Sequence, residues 1–160
     1  MITEQTFNQI GLDEQQATQL AEKLNELLAN YQLFYINARG FHWNITGDKF
    51  FELHAKFEEL YTDALVKIDE VAERILTLGH RPLHSFSDYV RTAQIGEMTN
   101  VSDGKTAVQH VIDAFRTLLM QERDLLELAQ QAGDEGTGAL MSDYIREQEK
   151  SVWMYSAFLR

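Results

Sequence analysis

Leu20, Leu24, Leu27, Tyr31, Phe34, Ala38 and Phe41 recur at intervals of three or four residues. That spacing lines one face of an α-helix. Asp13, just ahead of the run, suits an N-cap, and the residues before it read as a short arm. Thr46-Gly47-Asp48 reads as a turn. A second helix is expected from about Lys49 to Leu78, with Phe50, Leu53, Phe57, Leu60, Ala64, Ile68, Val71, Ile75 and Leu78 on its apolar face. Gly79 and then Pro82 stop it. Ser85 to Asp88 looks like the start of a short helix inside a longer connection. Ser102 or Asp103 caps a third long helix carrying Val108, Val111, Phe115, Leu118, Leu125 and Ala129, and Gly133 ends it. A fourth, with Met141, Tyr144, Gln148, Val152, Tyr155 and Leu159 on one side, runs to about Phe158. Four long helices with one long crossover between the second and third predict an all-α, ferritin-like four-helix bundle with a short extra helix in the crossover. No repeat or linker divides the chain, so residues 1–160 are read as a single domain.

Composition agrees and narrows the chemistry. A hydrophobic fraction of 44% and only one Pro in 160 residues fit a packed helical domain. With no Cys, thiol catalysis, zinc ribbons and disulfide frameworks are excluded. The formal charge of −11 argues against polyanion binding and suits attraction of cations. The opening residues are neither basic nor followed by an apolar run, and no stretch approaches ~18 apolar residues, so a cytoplasmic protein without membrane contact is expected.

Candidate chemistry gathers around the first turn. His42 and His54 are equidistant from Asp48. In an antiparallel hairpin they stand roughly level. On the second helix, His54, Glu58, Asp69 and Glu73 fall within a stripe ~100° wide. Imidazole with carboxylate suits iron and similar divalent metals. Yet His54 and Asp69 are ~22 Å apart along a straight helix, at ~1.5 Å per residue. Metal–ligand bonds are ~2 Å. A site using both ends of the stripe therefore needs a second copy of the helix running antiparallel, as a twofold interface provides. Taken singly, each residue has a plainer reading. A histidine near a helix end caps or packs, carboxylates four apart form a solvated face, and Glu70 with Arg74 reads as an ordinary i,i+4 pair. The usual intra-bundle di-iron site needs Glu-x-x-His on two helices, and the sequence contains none.

Together these motifs resemble the Dps family of mini-ferritins. Asn37-Ala38-Arg39-Gly40-Phe41-His42-Trp43-Asn44-Ile45-Thr46-Gly47 is similar to that family's His-Trp-Asn signature with a Gly three residues on. Phe50 to His54 and Ile68 to Ile75, with Asp69 and Ala72-Glu73-Arg74, continue the pattern. The likeness is strong over residues 31–83 and weaker over the rest, including Trp153. It implies a hollow shell of twelve copies that oxidises Fe(II), preferentially with hydrogen peroxide, and stores ferric mineral inside. His42 and His54 would come from one subunit, and Asp69 and Glu73 from its twofold mate. Glu58 stands where many members carry Asp and would serve a second iron. Trp43 would sit close to the iron and intercept radicals, or else be a plain interface aromatic. Zinc or another divalent ion could use the same ligands.

Two further expectations concern partners and access. DNA-binding members of the family have Lys-rich tails, whereas the first basic residue here is Lys23 and the sequence ends Ala157-Phe158-Leu159-Arg160. Direct DNA binding is not expected, and the chain looks closer to the non-DNA-binding, neutrophil-activating type. A DNA-coating shell and a bundle without catalysis are the alternatives. The family's acidic threefold pore would draw on Asp134, Glu135 and Asp143, though acids at a helix start also cap. His80, His84 and His110 are read as loop or interface residues.

Overall fold

The computed structural model describes residues 4–160. It contains five helices: α1 (Glu14–Asn44), α2 (Phe50–Thr77), α3 (Phe86–Thr92), α4 (Gly104–Ala132) and α5 (Glu135–Phe158). The helix boundaries follow the caps. Asp13 accepts from Gln16 N, Ser85 from Asp88 N, Asp103 from Thr106 N and Asp134 from Thr137 N. Each satisfies an amide the first turn cannot. Gly133 closes α4 at φ 68°, a left-handed conformation that costs glycine nothing. The arm folds back on the start of α1 through a bridge between Phe7 and Asp13. Among the described residues no helix is long and apolar enough to cross a membrane.

The long helices form two hairpins, α1 with α2 and α4 with α5, and the expected apolar residues of α1 and α4 are buried between them. Asparagines on α1 hold the crossover in place. Asn25 Oδ1 accepts from Leu83 N, Asn30 Oδ1 from Gln94 N and Ile95 N, and Asn37 Oδ1 from Met98 N. An irregular segment is thereby supplied with the hydrogen bonds its backbone needs.

On α2 the structure corrects the sequence reading at Ile68. The buried position there is Lys67, 4% exposed, and Ile68 is only half-buried. Lys67 Nζ donates to Asp63 at 2.7 Å and to Glu147 at 2.9 Å, so the ammonium enters the bundle already paired. Beside it lies a polar core that periodicity cannot show. Tyr31 Oη donates to Glu122 Oε2, and Gln148 Nε2 donates to Tyr31 Oη at 2.6 Å. Burial pushes the Glu122 carboxyl up to about 8, against the opposing pull of the hydrogen bond from Tyr31 and of the nearby Gln148, Lys67 and Arg123.

The expected Glu70–Arg74 pair is also absent. Arg74 turns to α5 and donates to Asp134 Oδ1 at 2.7 Å and Thr137 Oγ1 at 2.9 Å. Glu70 accepts instead from Tyr144 Oη. Bonds to a buried carboxylate are available to Arg74, whereas pairing on a solvated helix face gains little.

Candidate metal centre

The α1–α2 turn brings His42 and His54 together. Their rings stack at 3.8 Å with planes 13° apart. His42 Nδ1 lies 2.7 Å from the carbonyl oxygen of His54, and His54 Nδ1 lies 2.7 Å from that of His42. A carbonyl can only accept, so both Nδ1 atoms carry hydrogen. Nε2 is then the atom each ring can offer to a metal, and the carbonyl contact fixes its aim. One of these carbonyls is free for a structural reason. Near the end of α1, Thr46 N donates to Ser102 O at 3.0 Å and not back to His42 O. The orphan carbonyl of a helix terminus thus orients a ring on the next helix.

Aromatic side chains hold the pair from both sides. Phe50 stacks on His54 at 5.0 Å, and Tyr61 meets His42 edge-on at 5.2 Å. His42 is buried at 8% exposure, while His54 is half-buried, so the pair opens to the surface on the α2 side.

The carboxylates lie elsewhere. Glu58 is exposed one turn beyond His54. Asp69 and Glu73 are exposed much further along α2, which runs unbroken from Phe50 to Thr77. The apolar face read from the sequence included Ile68, the residue just before Asp69. Since the buried positions are Lys67 and Val71, Asp69 and Glu73 follow these by two, ~200° around the helix. They point out of the bundle. Among the described residues of one chain, no three His, Asp or Glu side chains gather closely enough to hold a metal ion. One chain therefore carries an imidazole pair near one end of α2 and a separate pair of exposed carboxylates near the other.

Along the same face of α2 lies a feature the sequence reading missed. Phe51, Leu65 and Leu76 are 79%, 52% and 58% exposed. All three fall within the same ~100° arc as His54, Glu58, Asp69 and Glu73. The signal was present in the sequence as apolar residues off the core face, which the core period alone does not pick out.

The remaining candidates separate clearly. Trp43 is 61% exposed, with the Arg39 guanidinium carbon 5.0 Å from its ring centre. Asp134 is not available to line a pore, because it is 3% exposed and engaged by Arg74, Thr137 N and Thr137 Oγ1. Gly136 is shaped by the same contact, since a Cβ there would meet the Arg74 guanidinium at 2.7 Å. Glu135 and Asp143 are exposed, and Asp143 accepts from Arg146 at 3.2 Å. His80 lies 3.4 Å from Thr18 Oγ1, His84 contacts Pro82 O, and His110 stacks on Phe41 at 6.3 Å.

A helical bundle with a long crossover and a His-carboxylate set spread along one helix defines a class, and comparison with known proteins gives the same one. Residues 21–160 match the model of the Ferritin-like domain. The fold superimposes on the crystal structure of a Dps protein from Vibrio cholerae O1 with a TM-score of 0.96 and 62% identity, covering 99% of both chains; that protein is described as a member of a broad superfamily of ferritin-like diiron-carboxylate proteins. A Dps protein from Bacillus brevis gives a TM-score of 0.88 at 36% identity, over 91% of this chain and 98% of that one. The DNA protection during starvation protein of Porphyromonas gingivalis is 45% identical over 92% of this chain and 93% of its own. The chain belongs to the Dps family of ferritin-like proteins.

Proposed function

We propose that this protein stores iron and protects its cell by oxidising Fe(II) at a site completed across a twofold interface. The observation that carries the reading is the split of the ligand set: two imidazoles with their Nε2 atoms free near one end of α2, and two outward carboxylates ~22 and ~28 Å further along the helix. Antiparallel pairing of two α2 helices, crossing near Thr62, sets His42 and His54 of one copy against Asp69 and Glu73 of the other. It also covers Phe51, Leu65 and Leu76, and it generates two equivalent sites. The resemblance to Dps proteins supports a closed shell of twelve such subunits with the mineral inside.

Iron is the substrate. Neutral imidazole and carboxylate oxygen suit Fe(II), and the anionic oxygens favour Fe(III) over Fe(II). Glu58, one turn from His54, is positioned to hold a second iron. Two Fe(II) ions each give one electron to one hydrogen peroxide. The O–O bond breaks, two protons are taken up, two waters form and two Fe(III) remain. Passing both electrons to one peroxide avoids release of hydroxyl radical. Zinc or another divalent ion competes for the same atoms. Protection of this kind needs no contact with DNA, and the charge of −11 per subunit opposes such contact. The chain acts in the cytoplasm on this reading.

The test is stoichiometry. Shells loaded anaerobically with Fe(II) and titrated with peroxide are expected to oxidise two Fe(II) per peroxide, with no hydroxyl-radical adduct on a spin trap. One Fe(II) per peroxide, with the adduct at the level of free iron, would sink the reading.

A further inference from the structure

α4 begins with a glycine that nothing local requires. Gly104 is the first residue of the helix, and its backbone is not left-handed. Glycine in a helix is less favourable than alanine. The reason lies across the bundle. A Cβ on Gly104 would stand 2.7 Å from Leu53 Cδ1, closer than side chains pack, and 3.9 Å from Ile45 Cδ1. Leu53 is the residue before His54, Ile45 is the residue after α1, and both are buried. Two residues before the glycine, the carbonyl oxygen of Ser102 accepts from Thr46 N at 3.0 Å and from Thr46 Oγ1 at 3.3 Å. The start of α4 therefore grips the α1–α2 hairpin on both sides of its turn, at Ile45 and Thr46 and again at Leu53.

Those positions hold the imidazole pair. Thr46 N is the amide that a continued α1 would direct at His42 O, the carbonyl that His54 Nδ1 meets at 2.7 Å. Leu53 and His54 share the first turns of α2, and His54 O holds His42 Nδ1, also at 2.7 Å. We propose that the start of α4 aims the two imidazoles, and that Gly104 is a positioning residue for metal binding. A methyl group at position 104 has to displace either the Leu53 side chain or the first turn of α2. Leu53 is packed in the core, where a side chain has little open space to turn into. The turn therefore moves, and His54 moves with it. Both rings lose their aim together, because each is held by the other's backbone. The packing stands on its own geometry, while its bearing on metal rests on the iron reading above.

The test titrates metal-stripped, assembled shells with Co(II), whose ligand preferences are close to those of Fe(II) and whose ligand-field absorbance reports its donors. Gly104→Ala is expected to bind Co(II) about tenfold more weakly, the lower end of what loss of an outer partner of a ligand costs. Adding Leu53→Ala to Gly104→Ala removes the clash. The double variant is expected to return to within about twofold of wild-type affinity, although the lost core packing makes it melt at a lower temperature than Gly104→Ala alone. A purely structural role would make the double variant the worse in both measurements. Unchanged affinity in Gly104→Ala, or a loss that persists in the double variant, overturns the proposal. If Gly104→Ala does not assemble, Thr46→Pro takes its place. Ile45 is already extended, as a residue before proline prefers to be, and the N–H that Ser102 accepts from is removed. This variant is expected to weaken Co(II) binding by a similar factor, and full affinity in it overturns the proposal. A parallel titration of His42→Ala plus His54→Ala separates the two readings. Co(II) bound as tightly there as in the wild type sinks the iron reading and this proposal with it. Co(II) binding that depends on the imidazoles but not on Gly104 overturns the proposal alone.

Discussion

Replacing His42 and His54 together by Ala is expected to slow peroxide-driven Fe(II) oxidation by at least about 100-fold, with the shell still assembled. The two rings supply half of the proposed ligand set, and loss even of outer partners of metal ligands weakens such sites by ~10–100-fold. The contacts that aim the rings are reciprocal, each Nδ1 on the other's carbonyl at 2.7 Å. Neither ring is therefore independent, and His42→Ala alone is expected to lose most of what the double variant loses. His54 would then have lost its stacking partner. Stopped-flow absorbance of the ferric product measures the rate, and gel filtration verifies the assembly. Wild-type rates in an intact double variant would remove the imidazoles from the chemistry.

Glu122→Gln is expected to stabilise the fold at pH 8 by roughly 2–4 kcal/mol, taken from the shift of the buried carboxyl. The sign follows from proton counting. Folded, Glu122 titrates at about 8, against an ordinary value of 4.5. Between those values the folded chain keeps a proton that the unfolded chain has released. Stability from this group is therefore complete below about pH 4.5, is lost as pH rises towards 8, and changes little beyond. The physical cause is burial: the residue is 0% exposed, and its Oε1 finds no partner. A glutamine is neutral throughout and can still accept from Tyr31. Denaturant midpoints of the variant are expected to lack the component of the decline between pH 5 and 8 that the wild type shows. Parallel pH profiles for the two proteins would contradict this account.

The helices were legible because their signals are local. Asp13, Ser85, Asp103 and Gly133 each act on the neighbouring turn, and their chemistry is independent of what packs above them. The His42–His54 pairing was legible from their equal distance to the turn at Asp48, and the rise per residue already kept Asp69 and Glu73 away from them. What stayed hidden depends on contacts across the bundle. Lys67 reads as a surface residue until Asp63 and Glu147 stand beside it. Glu122 reads as part of a solvated face until Tyr31 and Gln148 enclose it. Arg74 has one acid four residues before it and another on α5, and the sequence cannot rank them. Asp134 was a pore candidate for the same reason: an acid at a helix start is exposed or buried according to its distant partner. The buried line of α2 runs on from Leu53 and Phe57 through Lys67 and Val71 and not through Ile68, so Asp69 and Glu73 face outward.

Sharing of the site between copies is the central claim, and complementation tests it most directly. One inactive chain carries His42→Ala and His54→Ala, and the other carries Asp69→Ala and Glu73→Ala. A mixed twofold dimer then holds one intact site, with imidazoles from one chain and carboxylates from the other, and one site with neither. Random pairing at equal amounts makes half the dimers mixed. Shells refolded or co-expressed from the two chains are expected to recover about one quarter of wild-type Fe(II) oxidation, while each chain alone recovers almost none. A mixture no more active than its components would show that the ligands of each site belong to a single chain.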